Sequence, residues 1–102
     1  AHDAVLAQVS HLPHIVSFSL INSISPQALA IAPQSLREMT RIAGSDARLW
    51  TDIILENRSN AVRRTREFQK NIAIVQRAVA RNDRRALITF FERARKRRER
   101  IA

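Results

Sequence analysis

From Ala47 to Arg81 the chain repeats apolar side chains at near-heptad spacing. Ile53, Ile54, Asn57, Ala61, Thr65, Phe68, Ile72, Val75 and Val79 fall on one stripe. A stripe of that period follows one side of an α-helix. A helix from 47 to 81 exceeds the usual globular length, so either it breaks at a point the pattern does not mark or it packs along a partner. Composition points the same way. There is one glycine, there are three prolines, and Ala, Leu, Ile and Arg are abundant. No segment shows strand alternation and no internal repeat is visible. The expected fold is all-α: one domain over residues 1–102, with four or five helices, among them a kinked N-terminal helix, one long helix and a basic C-terminal helix.

The first helix is expected from about His2 to Ser23, with Leu6, Val9, Leu12, Val16 and Leu20 on one face. Pro13 lacks a backbone N–H and should kink this helix near Val9 and Ser10, freeing a carbonyl there. Ser25-Pro26 and Ala32-Pro33 mark a break, because a residue before proline avoids the α region. Gln34 to Ala43 reads as a short helix closed by Gly44. Ser45-Asp46 reads as the cap of the long helix. Asn82-Asp83 is the next break and cap. The last helix runs from Arg84 to the end, with Leu87, Phe90, Phe91 and Ala94 expected inward.

Charge divides the chain. Residues 1–51 hold three basic and three acidic side chains, and residues 52–102 hold fifteen and six, so the whole net charge of +9 lies in the second half. Cysteine is absent, which removes disulfides and thiolate metal sites and agrees with a reducing, cytoplasmic setting. Leu12 to Ile31 comes closest to a membrane span. His14, Asn22, several serines and Pro26 interrupt it, and it reads as buried helix plus loop, so no membrane partner is expected. The N-terminus has no basic region of the signal-peptide kind. The chain starts at Ala1-His2-Asp3 within a helical pattern, as expected of a piece of a longer protein.

Burying histidine, serine or arginine among aliphatic groups is costly unless each finds a partner. Ser10-His11-Leu12-Pro13-His14 concentrates such groups, and all three histidines lie in the first fourteen residues. At the helical period, Asp3, Ser10 and His14 lie within about 40° of one another. They form either a wall for a polar or anionic ligand or a histidine satisfied inside the core. His11 and His14 have the i, i+3 spacing of metal ligands. However, His2 points about 120° away from His14 on a straight helix, and no Cys or Glu joins them, so no metal site is expected. Ser10 and His14 could touch, but nothing marks an oxyanion hole, and a hydrolase is excluded.

Thr40-Arg41 and Trp50 form a second cluster. Arg41 suits a bidentate carboxylate, or pairs at the surface with Glu38 or Asp46. Trp50, the one tryptophan, is core or ligand platform. The run Arg93–Arg100 is a nucleic-acid arm or a solvated helix end. It lacks interleaved aromatics and a helix-turn-helix turn, which favours the solvated end. A basic helical nucleic-acid-binding module using Arg77 to Arg100 is the alternative function.

His2-Asp3, Ser10-His11-Leu12-Pro13-His14, Thr40-Arg41-Ile42-Ala43-Gly44-Ser45-Asp46, Leu49-Trp50-Thr51-Asp52-Ile53 and Asn57 together resemble the C-terminal helical domain of the prephenate/arogenate dehydrogenase family of tyrosine biosynthesis. The resemblance covers residues 1–60 well. Residues 61–102 match as helices with a Phe90-Phe91 pair. It implies a helical domain that dimerises by interlocking helices and closes one side of the active site. The full enzyme would oxidatively decarboxylate prephenate to 4-hydroxyphenylpyruvate, or arogenate to tyrosine. NAD or NADP would be bound mainly by an N-terminal dinucleotide-binding domain absent from this chain. By position, Arg41 would hold a substrate carboxylate, Ser10, His14 and Thr40 would line the pocket, and Trp50 would pack beside the arginine. His2 and Asp3 would support the domain junction. The family's catalytic histidine lies in the N-terminal part, so this chain would carry no catalytic or cofactor residue and be inactive alone. The family usually has a glycine-rich approach and an Asp three residues before the arginine. This chain has Ala32-Pro33-Gln34-Ser35-Leu36 and Glu38 there.

Overall fold

A computed structural model describes His2–Ala102, and among those residues it contains six helices and no strand. The first, α1 (His2–Asn22), is continuous but not uniform. Ala7–His11 form a π turn, in which the N–H of Leu12 donates to the carbonyl of Ala7 five residues back. Pro13 accounts for it. In a regular helix the proline ring would collide with the carbonyl of Val9, and the wider turn relieves that clash. The expected kink therefore takes the form of one extra residue in a turn. That residue changes the phase of everything before it. On an unbroken helix Asp3 and His11 differ by about 80°; with one residue absorbed they differ by about 20°. Asp3 thus leaves the stripe expected for it with Ser10 and His14 and lines up with His11.

A four-residue helix, α2 (Pro26–Leu29), occupies the break expected at Ser25-Pro26. The Ser25 hydroxyl accepts from the Ala28 N–H at 3.2 Å, and Pro26 starts the helix where no N–H is needed. Helix α3 (Gln34–Thr40) ends earlier than expected and tightens into a 3₁₀ turn, Arg41–Gly44. The Thr40 hydroxyl donates to the Leu36 carbonyl at 2.6 Å, a back-bond of the kind that bends helices. Gly44 does not close α3 as a left-handed cap. No glycine has positive φ, and a Cβ at Gly44 would meet open space.

Asp46 caps α4 (Ala47–Glu56), accepting from the Leu49 N–H at 3.0 Å. The long helix then breaks once, at Asn57 (φ −120°, ψ 35°), and resumes as α5 (Arg58–Ala80). Of the two outcomes left open for the stripe, an unmarked break is present. The α5 end has the Schellman form: Asp83 N–H donates to the Ala78 carbonyl at 2.8 Å, Asn82 N–H to Val79 at 3.1 Å, and Asn82 is left-handed (φ 53°). Asp83 caps α6 (Arg84–Arg98), accepting from the Ala86 N–H at 3.0 Å.

The chain forms two compact units, one through Thr65 and one from Arg66. In the first, the Leu12–Asn22 half of α1 packs against α3 and against the Arg41–Gly44 turn. Ala7, His11, Ser17, Asn57 and Ala61 are buried there. In the second, Ala78 is buried. Among the described residues no large side chain is fully buried. Leu87 and Phe90 of α6 turn partly inward, but Phe91 and Ala94 are exposed, contrary to expectation. Ala94, with Phe68, Ile74, Phe90, Arg97 and Ile101, lines an open groove of about 770 Å³ that nothing in the unit fills, whereas Phe91 lies outside it.

Helix α1 is long and apolar enough, by length and composition alone, to cross a membrane. It begins ten residues before the stretch expected to come closest. It is not the buried helix expected either, since 17% of its most apolar window is buried within the chain.

Candidate functional site

The π turn gives the site its shape. In it, the Ser10 carbonyl accepts a hydrogen bond from His14 Nδ1 at 2.9 Å. A carbonyl oxygen can only accept, so His14 carries a proton on Nδ1. When neutral, it presents a free lone pair at Nε2. Its ring is held by its own helix and stacks on Trp50 of α4, with centroids 3.3 Å apart and planes 14° from parallel. Phe18 flanks His14 one turn later, at 6.5 Å. His11 meets Trp50 edge-on, at 6.3 Å and 77°. Trp50 is therefore half-buried between two histidines, its face on one and its flank against the other.

Arg41 begins the 3₁₀ turn that packs on the His14 half of α1. Its side chain is exposed. Both surface partners considered for it are engaged elsewhere. Glu38 accepts from Gln34 Nε2 at 3.1 Å, and Asp46 caps α4. Among the described residues Arg41 makes no ion pair. Thr40, half-buried beside it, gives its hydroxyl proton to Leu36 and keeps only acceptor capacity for anything else.

The structure thus brings His14, Trp50 and the Ser10 carbonyl into one contact set. It puts Thr40 and Arg41 on elements packed against that helix. The arrangement offers an aromatic plane, a ring-nitrogen acceptor and an unpaired guanidinium. Those groups suit a planar molecule carrying a carboxylate. His2 is exposed and, among the described residues, makes no hydrogen bond or ring contact with the set. Among the described residues no three His, Asp or Glu side chains converge as metal ligands.

Asn57 is a participant that the sequence placed on a helical stripe and among the residues of the family resemblance, but not in the site. It is 9% exposed. Its Nδ2 donates to the Asp3 carbonyl at 2.8 Å and to His11 Nδ1 at 3.2 Å, and its Oδ1 accepts from Asn60 Nδ2 at 2.9 Å. An amide on an otherwise apolar stripe was the available signal, since a buried amide must be paired. Ser17, 3% exposed, was also missed; its hydroxyl has no partner among the described residues.

The basic end of α6 is built from local pairs. Arg95 bridges Glu92 at 2.6 Å and Glu99 at 3.0 Å. Phe90 and Phe91 pack edge-to-face on each other at 6.2 Å and do not interleave with the cations.

Residues 1–93 match the family model described as "Prephenate dehydrogenase, dimerization domain". The chain belongs to that family. It is 32% identical to the prephenate dehydrogenase of Lactococcus lactis, over 93% of this chain and 28% of that protein. It is 34% identical to the cyclohexadienyl dehydrogenase of Zymomonas mobilis, over 93% of this chain and 35% of that protein. The chain therefore spans about a third of the length of the curated relatives it matches. Among solved structures, A. aeolicus prephenate dehydrogenase in complex with hydroxyphenyl propionate and NAD+ superposes with a TM-score of 0.88, at 32% identity, over 99% of this chain and 37% of that one. Synechocystis arogenate dehydrogenase superposes with a TM-score of 0.91 at 19% identity, over 99% and 39%, and shares the fold. The match to the family model ends at residue 93, so most of the basic run to Arg100 lies beyond it.

Proposed function

We propose that this chain is the dimerising and substrate-binding helical part of a prephenate dehydrogenase, which converts prephenate to 4-hydroxyphenylpyruvate by NAD(P)-dependent oxidative decarboxylation in the cytoplasm. The observation that carries this reading is the His14–Trp50 stack on a helix packed by the turn of an unpaired Arg41. Prephenate is a ring with carboxylates, and those are the groups such a wall can hold. Arg41 binds a substrate carboxylate. His14 and the Ser10 segment face the ring side, Trp50 fixes His14, and Thr40 supports the arginine turn. The relatives' names and the hydroxyphenyl propionate in the A. aeolicus complex, itself a ring with a carboxylate, support the same reading.

These 102 residues offer no glycine-rich pyrophosphate cradle. Their one glycine, Gly44, lies in a 3₁₀ turn without positive φ. The proposal therefore assigns the dinucleotide to a domain outside this chain. Dimerisation is supported by apolar surface that the chain leaves uncovered. Val5 and Val9 of α1, Ile72 and Val79 of α5, and Ile88 and Phe91 of α6 are all more than half exposed. The open groove beside Phe68 and Phe90 is wide enough for side chains of a second copy.

In the full-length enzyme, Arg41→Ala should raise KM for prephenate about 10- to 100-fold, the scale of one lost charge-assisted hydrogen bond. KM for the dinucleotide should change little. Unaltered prephenate kinetics would remove Arg41 from the site and, with it, the main support for this reading.

A further inference from the structure

We infer that Asn57 is a positioning residue: it locks His11 in the tautomer that braces Trp50, and so sets the plane on which His14 lies. The inference rests on the reading of His14 and Trp50 as substrate wall. Its geometry, however, is independent of which substrate is bound.

The amide orientation of Asn57 is determined by an acceptor that cannot be reversed. The Asp3 backbone carbonyl, 2.8 Å away, requires Nδ2 on that side. The second Nδ2 hydrogen is then directed at His11 Nδ1, 3.2 Å away. His11 Nδ1 must be a bare lone pair, and the ring proton sits on Nε2. His14 is the opposite case, because its Nδ1 donates to the Ser10 carbonyl. Two histidines three residues apart thus hold opposite tautomers, each dictated by a partner of fixed polarity. Oδ1 of Asn57 accepts from Asn60, so every polar atom of the amide is used.

The chain of contact continues from there. His11, 6% exposed, stands edge-on to Trp50, and Trp50 lies flat on His14. Asn57 is also where the long helix breaks. An apolar residue there would continue the stripe and satisfy none of these groups. The two Asn57 contacts reach 54 and 46 residues along the chain, whereas every other side-chain hydrogen bond among the described residues spans five or fewer. The two helices that carry His14 and Trp50, α1 and α4, are therefore cross-linked at one amide, through the tautomer of one histidine.

The first test uses the unaltered full-length enzyme. Nitrogen-15 imidazole shifts, assigned by removing each histidine in turn, should report His11 as the Nε2–H form and His14 as the Nδ1–H form. A His11 in the Nδ1–H form overturns the inference without any variant having to fold. The second test is kinetic. Asn57→Asp keeps the shape but loses both donors, and His11→Leu loses the acceptor. Each should raise KM for prephenate about tenfold or more, as expected when a binding group is misplaced by a fraction of an ångström. The double variant should be no worse than either single one, because both break the same link. His11→Asn, which restores an acceptor near the Nδ1 position, should recover most of the loss. Additive effects, a His11→Asn no better than His11→Leu, or lower thermal stability with prephenate KM unchanged would each show a role in folding only. Failure of the substrate reading would look different: Arg41→Ala would leave prephenate kinetics unaltered while the two tautomers remained as assigned.

Discussion

The two units of this chain solve the same problem in opposite ways. Up to Thr65, polar side chains reach across the sequence: Asn57 binds Asp3 and His11, and Trp50 of α4 lies on His14 of α1. From Arg66 onward, charged side chains bond along their own helix, Lys70 to Glu67 and Arg95 to Glu92 and Glu99. The first pattern fixes where one helix stands against another. The second decorates helices and fixes nothing between them, so that unit keeps an unfilled apolar groove. The difference teaches that the first unit fixes the placement of its own helices through polar contacts, although it too leaves apolar surface such as Val5 and Val9 uncovered, whereas the second leaves an apolar groove open.

The largest effect that could break this contrast is on assembly. Ile72 and Val79 lie seven residues apart on α5 and are 54% and 60% exposed. The double variant Ile72→Glu/Val79→Glu should convert a dimer to monomers or to aggregated chain, as read by light scattering. A fully dimeric variant would show that the second unit is not finished by a partner on this face. Next in size is Trp50→Ala. It removes the stack on His14 and should cost about 2 kcal/mol in chemical denaturation, less than the roughly 3–5 kcal/mol of a fully buried aromatic because the ring is half-buried. A cost near zero would mean that the first unit is not held by its cross-sequence contacts.

The smallest effect concerns the second unit's ion pairs. The hydrogen bond from Arg95 holds the Glu92 carboxyl below its ordinary value. Such a group adds stability above the ordinary carboxylate range and loses it as pH falls through the lowered value. Both side chains are exposed, so water and salt screen the pair. Arg95→Ala should leave the thermal midpoint unchanged at neutral pH, and melts taken down through the carboxylate range should coincide with those of the parent. A clear separation would give the local pairs a structural weight that this comparison denies them.

Most helix positions were legible because periodicity and caps are local signals. Asp46 and Asp83 cap where their side chains predict, and Asn82 turns left-handed after α5. Family membership was legible from residues 1–60, where the spaced polar motifs lie. Three features were not legible. The π turn results from a proline clash that could also have been relieved by a simple bend. The early end of α3 depends on which carbonyl the Thr40 hydroxyl chooses. The break at Asn57 comes from a partner 54 residues away, and no pattern within one helix can announce it. The outward position of Ala94 has a like origin, because it faces a groove that the unit leaves open.

The π turn has a consequence for how this segment tolerates change. Removing any single residue between Ala7 and His11 would let α1 relax to a regular helix. Because the π turn already absorbs one residue, the first turn would keep its phase, and the Asp3 carbonyl would still face Asn57. The Ala7–His11 turn thus behaves as one residue inserted into an otherwise regular helix. What a deletion gives up is the relief at Pro13, whose ring would again meet the carbonyl four residues before it.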